Sequence, residues 1–201
     1  MKIVNMTALS IPDVERLEAE CFQHPWPQDS IEECFQNPAY YFFVAKDDGN
    51  NVVGYIATYI VRDEAFVENV CVTESARRQG IGRALVERAI ENCKVNGASF
   101  LSLEVRRSNT AAIGLYTAFD FEIEGTRKKY YSDPEEDALI MTCHFEQAKM
   151  WTRLLKPNGD ITWAAFCGPA AQPPTPESPA SSAVLARNGS FTAPLTVSCG
   201  M

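Results

Sequence analysis

The chain has 201 residues, of which 46% are hydrophobic and 22% are charged, and its formal net charge is −8. This composition excludes a wholly disordered, collagen-like or coiled-coil protein, and the length allows one full domain plus an extension. No apolar run is long enough for a membrane-spanning helix, and Asp13, Glu15 and Arg16 interrupt the start of the chain before a signal peptide could form. We therefore expect a cytoplasmic protein that does not enter a membrane.

The charge is distributed unevenly. Residues 1–146 contain 14 basic and 24 acidic side chains, whereas residues 147–201 contain 4 basic and 2 acidic ones. An acidic domain disfavours nucleic acid and favours a cationic partner, although the same charge could serve only to keep the protein soluble. The seven cysteines form no CxxC pair and only two histidines accompany them, so the sequence predicts neither a disulfide framework nor a metal site.

The composition changes near residue 147. Seven of the twelve prolines follow this point, and residues 168–190 show almost no charge or apolar periodicity. We expect a domain over 1–146 and a disordered tail over 157–201. Between them, Met150, Trp151, Leu154 and Leu155 follow a helical spacing that predicts a short docking helix over 147–156. In the alternative, Trp163 and Phe166 of the tail fold over a cleft of the domain.

Residues 1–146 predict a mixed α/β sheet. After an initial strand, a helix begins beyond Ser10 with Pro12 in its first turn, and a second helix covers 29–35. Strands at 40–46 and 52–61 form a hairpin, and a third strand follows at 65–72. A helix from residue 81 to Asn96-Gly97, a strand at 99–105, a helix at 109–118 and strands around 121–131 and 137–145 complete the domain.

The most informative segment joins the strand 65–72 to the next helix. It has the sequence Arg78-Gln79-Gly80-Ile81-Gly82-Arg83. Glycines at a strand-to-helix turn let backbone N–H groups approach a phosphate, and the helix N-terminus adds a partial positive charge. The segment is neither a Walker loop nor a dinucleotide fingerprint, since no Gly-Lys-Ser/Thr follows and position 85 is Leu. It predicts an anion-binding loop, with an ordinary glycine-rich turn as the alternative.

This loop resembles the Q/R-x-x-G-x-G/A motif of the Gcn5-related N-acetyltransferases, the GNAT superfamily, and the predicted order of elements is similar to the fold of that superfamily. Three further segments resemble the members that acetylate the N-terminal alanine of a small-subunit ribosomal protein. They are HPW at 24–26, LEVRRSNTAAIGLY at 103–116, and RKKYY with EDALIM at 127–141. The resemblance covers residues 1 to about 146. It implies a GNAT fold with a mixed, mostly antiparallel central sheet flanked by helices, followed here by a C-terminal low-complexity extension.

The resemblance also implies acetyl-CoA as co-substrate, the N-terminus of a basic ribosomal protein as partner, and no metal. Val70, Cys71 and Val72 resemble the strand whose main chain pairs with the pantetheine arm. Residues 78–83 resemble the pyrophosphate loop, and Asn109 resembles a side-chain contact to acetyl-CoA.

The same resemblance assigns the peptide site and the chemistry. Trp26, Tyr130 and Tyr131 resemble walls of the peptide site, and Glu104 and Tyr116 match a general base and a general acid. Each assignment has a structural alternative, namely an exposed strand carboxylate for Glu104, a core aromatic for Tyr116, and an ordinary aromatic pair of a strand for Tyr130 and Tyr131.

The residue types suit the reaction. An α-amino group has a pKa of about 7.7–8.0 and is mostly protonated at neutral pH, so a carboxylate is needed to remove its proton. Glu104 should lie on the strand face opposite Leu101, Leu103 and Val105, where it can face a cleft. A phenol such as Tyr116 can then protonate the departing thiolate of CoA without being ionised at rest.

Some features leave alternatives open. Arg127, Lys128 and Lys129 could meet a CoA phosphate or an acidic substrate residue, or could be a solvated strand end. Asp120 stands where the superfamily usually has Gly, and Asp tolerates a positive φ at a cost of roughly 1 kcal/mol. The alternative functions are acetylation of a small-molecule amine and binding of acyl-CoA without catalysis.

Overall fold

The computed structural model describes residues 1–145 and two short strands, Trp151–Leu155 and Ile161–Ala165. The first part contains seven strands and four α-helices in the predicted order: β1 Lys2–Asn5, α1 Ile11–Cys21, α2 Gln28–Gln36, β2 Tyr40–Lys46, β3 Val52–Val61, β4 Glu64–Val72, α3 Ile81–Val95, β5 Phe100–Arg106, α4 Thr110–Thr117, β6 Glu122–Ser132 and β7 Glu135–His144. Short 3₁₀ turns at Ala8–Ser10 and Glu74–Ala76 precede α1 and α3. No helix of the described part is long and apolar enough to cross a membrane.

The seven strands form one sheet in the order β1-β2-β3-β4-β5-β7-β6. All neighbours are antiparallel except β4 and β5, which are parallel. The mixed, mostly antiparallel α/β sheet predicted from the sequence is therefore confirmed.

Apolar side chains alternate between the two faces of the sheet. On one face Leu101, Leu103 and Val105 of β5 pack in a cluster with apolar residues of α3 and α4. On the other face Tyr55 and Ala57 of β3 pack with residues of α1 and α2. Each helix pair thus buries one side of the sheet, as the two-residue period of the strands requires.

Two turns follow the expected backbone chemistry. Helix α3 ends at Asn96 and is followed by Gly97 at φ 79°, the left-handed conformation predicted for this helix end. Asp120 adopts φ 62°, so the substitution of the usual Gly leaves the turn geometry in place.

Strands β4 and β5 separate along their length. Their register comprises only three pairs, Glu64 with Phe100, Ala65 with Leu101 and Phe66 with Ser102. Beyond Phe66, β4 continues to pair with β3 and β5 continues to pair with β7. A gap therefore opens within the sheet between the second half of β4 and the second half of β5.

Strand β4 also contains an irregularity. Asn69 pairs with Ala57 and Val67 pairs with Thr58, so Glu68 is an extra residue on β4 with no counterpart on β3. A β-bulge of this kind moves the following residues to the opposite faces of the strand.

The C-terminal region differs from the prediction in its described parts. Trp151–Leu155, expected within a docking helix over 147–156, is strand β8, and it pairs antiparallel with β9, Ile161–Ala165, within the span expected to be disordered. The pairing of Trp151 with Ala165 and Leu155 with Ile161 supplies the backbone hydrogen bonds that an isolated helix of this length would have to make alone. The remainder of the predicted helix, the rest of the predicted tail and Phe166 lie outside the described residues.

Candidate active site

The gap between β4 and β5 forms a pocket on the sheet face opposite α3 and α4. The pocket is open to solvent and comprises about 430 Å³ of empty space, part of which is bulk solvent. Its lining combines apolar side chains with one carboxylate and one guanidinium, and the residues are Phe66, Val67, Ser102, Leu103, Glu104, Arg127 and Ile140.

Glu104 lies in this pocket, on the strand face opposite Leu101, Leu103 and Val105 as predicted. Its side chain is 8% exposed, and its Oε1 forms an ion pair with Arg127, whose Nε lies 2.6 Å away. Oε2 is buried and accepts no hydrogen bond from the described residues. The arrangement holds the carboxylate by one oxygen and leaves the other available to a cationic group in the pocket.

Glu68 is a second buried carboxyl beside Glu104, and the sequence interpretation missed it. It is 5% exposed. Burial, and to a smaller extent the negative charge of Glu104, raise its pKa from the ordinary value of 4.5 to about 7. The electrostatic effect of Glu104 on Glu68 means that the two carboxyls lie close together.

The glycine loop after β4 is open to an anion. Gly80 is the N-cap of α3 at φ 81°, and a Cβ on Gly80 would meet no atom within 4 Å. Helix α3 has 15 residues and no side-chain cap at its N-terminus, and its first i→i−4 bond runs from Ala84 N–H to Gly80 O. The preceding N–H groups therefore have no partner within the helix and point to the space beside Gly80. This geometry fits the pyrophosphate of acetyl-CoA.

The rest of the loop is exposed and tied to its neighbours. Arg78 has φ 62°. Gln79 Nε2 donates to Ser75 O at 3.3 Å, and the Arg83 guanidinium lies 4.8 Å from the centre of the Phe119 ring. Ile81 is buried and Gly82 partly buried, so the helix start is anchored below the open loop.

The end of β4 presents one backbone edge to the gap. Val70 pairs with Ile56, Cys71 with Tyr55 and Val72 with Gly54 on the β3 side. The register between β4 and β5 ends at Phe66, so this part of β4 borders the gap. The Val72 carbonyl accepts from Arg77 Nε at 3.0 Å.

Tyr116 and Asn109 belong to α4, on the opposite face from Glu104. Tyr116 is 0% exposed within the core, with the Phe121 ring 5.6 Å from its own. Asn109 is the N-cap of α4, and its Oδ1 accepts from Ala112 N–H at 3.1 Å. Tyr116 and Glu104 are therefore on opposite faces of the sheet, with the gap between β4 and β5 as the opening from one face to the other.

The loop between α1 and α2 carries Trp26, which is half-buried. Its backbone N–H donates to Glu18 Oε2 at 2.7 Å. Glu18 is fully buried, and its Oε1 also accepts hydrogen bonds from the Tyr55 hydroxyl and from Asn69 Nδ2. Burial raises the pKa of Glu18, while the three hydrogen bonds oppose this rise. One buried carboxyl thus joins α1, β3, β4 and the Trp26 loop.

The hairpin of β6 and β7 lies next to the Trp26 loop. Gln23 Nε2 donates to Asp133 Oδ2 at 2.7 Å, which connects the loop to this hairpin. Tyr130 is half-buried, whereas Tyr131 is 7% exposed and its ring lies 4.1 Å below the Arg106 guanidinium. Trp26 and Tyr130 therefore offer a partly exposed surface, and Tyr131 supports it from beneath.

The basic cluster of β6 pairs with acidic groups of its own chain. Arg127 contacts Glu104, Lys128 Nζ lies 2.8 Å from Asp137 Oδ2, and Lys129 Nζ lies 3.0 Å from Glu135 Oε1. The lysine amines are exposed at the strand end, and Arg127 is the member of the cluster that lines the pocket.

Comparison with known proteins agrees with this geometry. The model of the Acetyltransferase (GNAT) family matches residues 11–121. A Bacillus subtilis (strain 168) protein, named provisionally as a [ribosomal protein bS18]-alanine N-acetyltransferase, is 42% identical over 138 residues, which are 68% of this chain and 91% of that protein. The Escherichia coli (strain K12) [ribosomal protein bS18]-alanine N-acetyltransferase is 34% identical over 141 residues, 69% of this chain and 94% of that protein.

A solved structure extends the similarity to three dimensions. The crystal structure of the ribosomal-protein-S18-alanine N-acetyltransferase from Escherichia coli superposes with a TM-score of 0.68 at 33% identity, covering 73% of this chain and 95% of that one. The split sheet, the open glycine loop at a helix N-terminus and these matches lead to one conclusion. This chain belongs to the GNAT family of acetyltransferases, whose co-substrate is acetyl-CoA.

Proposed function

We propose that this protein transfers the acetyl group of acetyl-CoA to the N-terminal α-amino group of a ribosomal protein that begins with alanine. The relatives described above are named for this reaction on ribosomal protein bS18. The observation that carries the proposal is the buried Glu104 carboxylate with one unpartnered oxygen in the gap between β4 and β5. A carboxylate in that position suits a substrate that arrives as an ammonium ion.

Acetyl-CoA supplies the acetyl group as a reactive thioester. The N–H groups around Gly80 bind its pyrophosphate, because a helix N-terminus without a cap favours an anion. The main chain of β4 at Val70, Cys71 and Val72, which borders the gap, binds the pantetheine arm through hydrogen bonds. Asn109 then contacts the co-substrate beside the start of α4.

Glu104 removes a proton from the substrate α-ammonium group through Oε2, while Arg127 holds Oε1 at 2.6 Å and fixes the orientation of the carboxylate. The neutral amine attacks the thioester carbon, the C–N bond forms and the C–S bond breaks. Tyr116 donates a proton to the sulfur from the opposite face of the sheet. Tyr116 regains one proton, so that in sum the ammonium nitrogen loses two protons, the thiolate gains one, and one proton is released to solvent.

The substrate N-terminus enters between the Trp26 loop and the hairpin of β6 and β7. Trp26 and Tyr130 contact its first residues, and the hydrogen bond between Gln23 and Asp133 keeps the two walls at a fixed distance. The excess of acidic residues in 1–146 favours a basic protein by electrostatic attraction. Such an encounter would take place in the cytoplasm.

The decisive experiment is an acetylation assay with defined amines. The protein is incubated with labelled acetyl-CoA and either a basic peptide with N-terminal alanine, the same peptide with a blocked N-terminus and an internal lysine, or spermidine. We expect label on the free N-terminal peptide alone. Label on spermidine or on the blocked peptide at an equal or greater rate would refute the proposed substrate class.

The same assay tests the base. Glu104→Gln should lower the rate about 10²-fold or more at neutral pH. Glu64→Gln is the matched control, because Glu64 lies on the neighbouring strand, is exposed and pairs with Phe100 outside the gap. Equal rates for Glu104→Gln and Glu64→Gln would remove Glu104 from the mechanism.

A further inference from the structure

The carboxyl of Glu68 has no role in the mechanism above, yet its position matches that of Glu104. Phe66 and Ser102 form the last pair between β4 and β5, and Glu68 and Glu104 are each two residues beyond it. The two carboxyls therefore stand on opposite sides of the gap, close to the point where the strands separate.

The bulge in β4 determines which way Glu68 faces. Val67 and Val70 pack in the cluster with α3 and α4, while Asn69 bonds to Glu18 of α1 on the other face. Because one extra residue lies between Val67 and Asn69, Glu68 joins Asn69 on the face of α1 and α2. This is also the face on which Glu104 lines the pocket.

The surroundings of Glu68 are acidic or apolar. The negative charge of Glu68 raises the pKa of Cys34 of α2 and the pKa of Tyr40 of β2. The titratable groups around Glu68 are Cys34, Tyr40 and Glu104, with Tyr59 behind Tyr40 and Arg127 behind Glu104. The only cation among them, Arg127, is engaged with Glu104.

We propose that Glu68 is a second proton acceptor of the reaction centre, and that it takes over the proton which Glu104 removes from the substrate ammonium group. The proposal rests on the proposed function. The protonated Glu104 carboxyl gives its proton to the Glu68 carboxylate, and Glu68 then releases it to water that enters the gap. Glu104 is then ready for the second proton, which leaves the nitrogen after the C–N bond has formed.

The direction of this transfer follows from the environment of the two groups. Burial and the negative charge of Glu104 raise the pKa of Glu68 to about 7. Glu68 therefore binds a proton more tightly than an ordinary carboxyl and still releases it near neutral pH. Arg127 is ion-paired with Glu104 at 2.6 Å, whereas Glu68 has no cation of its own among the groups named above.

The first test is the pH dependence of kcat for acetylation of the alanine peptide. For the unaltered protein we expect kcat to rise with a midpoint near pH 7, because Glu68 must be charged to accept the proton. Glu68→Gln should lower kcat at neutral pH at least about tenfold and abolish this midpoint, with little change in KM for acetyl-CoA. Glu68→Asp should retain a midpoint, and Glu64→Gln should match the unaltered protein.

A second test does not depend on activity. Glutamate carrying ¹³C at the side-chain carboxyl carbon allows the titration of Glu68 to be followed by NMR, with the signal assigned by its loss in Glu68→Gln. We expect titration near pH 7, moving to lower pH in Glu104→Gln because the neighbouring charge is removed. Titration of Glu68 at the ordinary pH, or a titration unaffected by Glu104→Gln, would overturn the pairing of the two carboxyls.

The two failures can be told apart. Normal acetylation of the peptide with an unchanged pH profile in Glu68→Gln overturns the role of Glu68 and leaves the proposed function intact. Absence of peptide acetylation by the unaltered protein overturns the proposed function and the proton transfer with it.

Discussion

Removal of the Glu18 carboxylate should destabilise the protein and displace the loop that carries Trp26. Glu18 is 0% exposed, and three donors converge on it, namely the Tyr55 hydroxyl, Asn69 Nδ2 and the Trp26 backbone N–H. In Glu18→Ala the Trp26 amide can turn to water because this residue is half-buried. The polar groups of Tyr55 and Asn69, which are both fully buried, cannot.

The magnitude follows from these two groups. A buried donor left without a partner costs about 1–3 kcal/mol, so two of them cost about 2–6 kcal/mol. The loss of a buried, desolvated carboxyl offsets part of this cost. We expect Glu18→Ala to lower the free energy of unfolding by about 3 kcal/mol, which corresponds to a decrease in Tm on the order of 10 °C for a domain of this size.

Urea unfolding followed by circular dichroism measures this difference. The matched control is Glu15→Ala, since Glu15 lies on the same helix, is partly exposed and makes no hydrogen bond or ion pair with the described residues. The control should change the free energy of unfolding by less than about 0.5 kcal/mol. In the acetylation assay Glu18→Ala should raise KM for the peptide more than it lowers kcat, because the contact proposed for Trp26 is with the peptide rather than with the thioester.

The pH dependence of stability distinguishes a buried acid from a simple packing residue. Burial raises the pKa of Glu18, so the folded state binds the proton more tightly than the unfolded state. The stability of the unaltered protein therefore falls as pH rises through the raised pKa, whereas Gln cannot titrate. The deficit of Glu18→Gln should be largest at the acidic end and shrink toward neutral pH. Equal stability of Glu18→Ala and Glu15→Ala, or a deficit of Glu18→Gln that grows with pH, would refute this reasoning.

Three further predictions concern the gap and its surroundings. Gly80→Ala places a Cβ in the open space beside the helix N-terminus, so calorimetry should show CoA binding at least tenfold weaker, with a stability loss of only about 1 kcal/mol from the positive φ. Tyr116→Phe removes the proposed proton donor, so single-turnover acetylation should slow at least about tenfold at neutral pH while CoA binding is unchanged. Glu68→Gln removes a carboxyl whose pKa is raised to about 7. As pH increases from 5 to 8, the free energy of unfolding of the variant in urea should therefore rise relative to that of the unaltered protein, by at most about 3 kcal/mol.

Local chemistry made most of the fold predictable. The periodicity of the sequence predicted the α-helices and strands of residues 1–145 in their observed order, but not the two 3₁₀ turns. Gly97 and Asp120 marked two left-handed turns because few other residues adopt that conformation at low cost. The alternation of β5 placed Glu104 opposite Leu101 and Leu103, which is the face that the structure shows.

The C-terminal segment illustrates where the same reasoning fails. Three of the four apolar residues behind the helix prediction lie in Trp151–Leu155, and in a segment of only five residues their spacing is also compatible with a strand. The outcome was decided by a partner, Ile161–Ala165, which is rich in residues that favour strands. The disorder expected for the rest of 157–201, outside the strand Ile161–Ala165, stays a prediction.

Glu68 shows why the candidate site was only partly predictable. Strict alternation along β4 would place Glu68 on the same face as Val70 and Val72, in the apolar cluster with α3. The bulge adds one residue to β4 and so places Glu68 on the opposite face. The strand sequence does not predict the bulge, because bulges depend on pairing with a neighbouring strand. Once the bulge is present, Glu68 faces Glu104 across the gap. A pair of carboxyls, one in contact with Arg127 and one desolvated, is a property of two strands that separate, and only the three-dimensional register brings it into view.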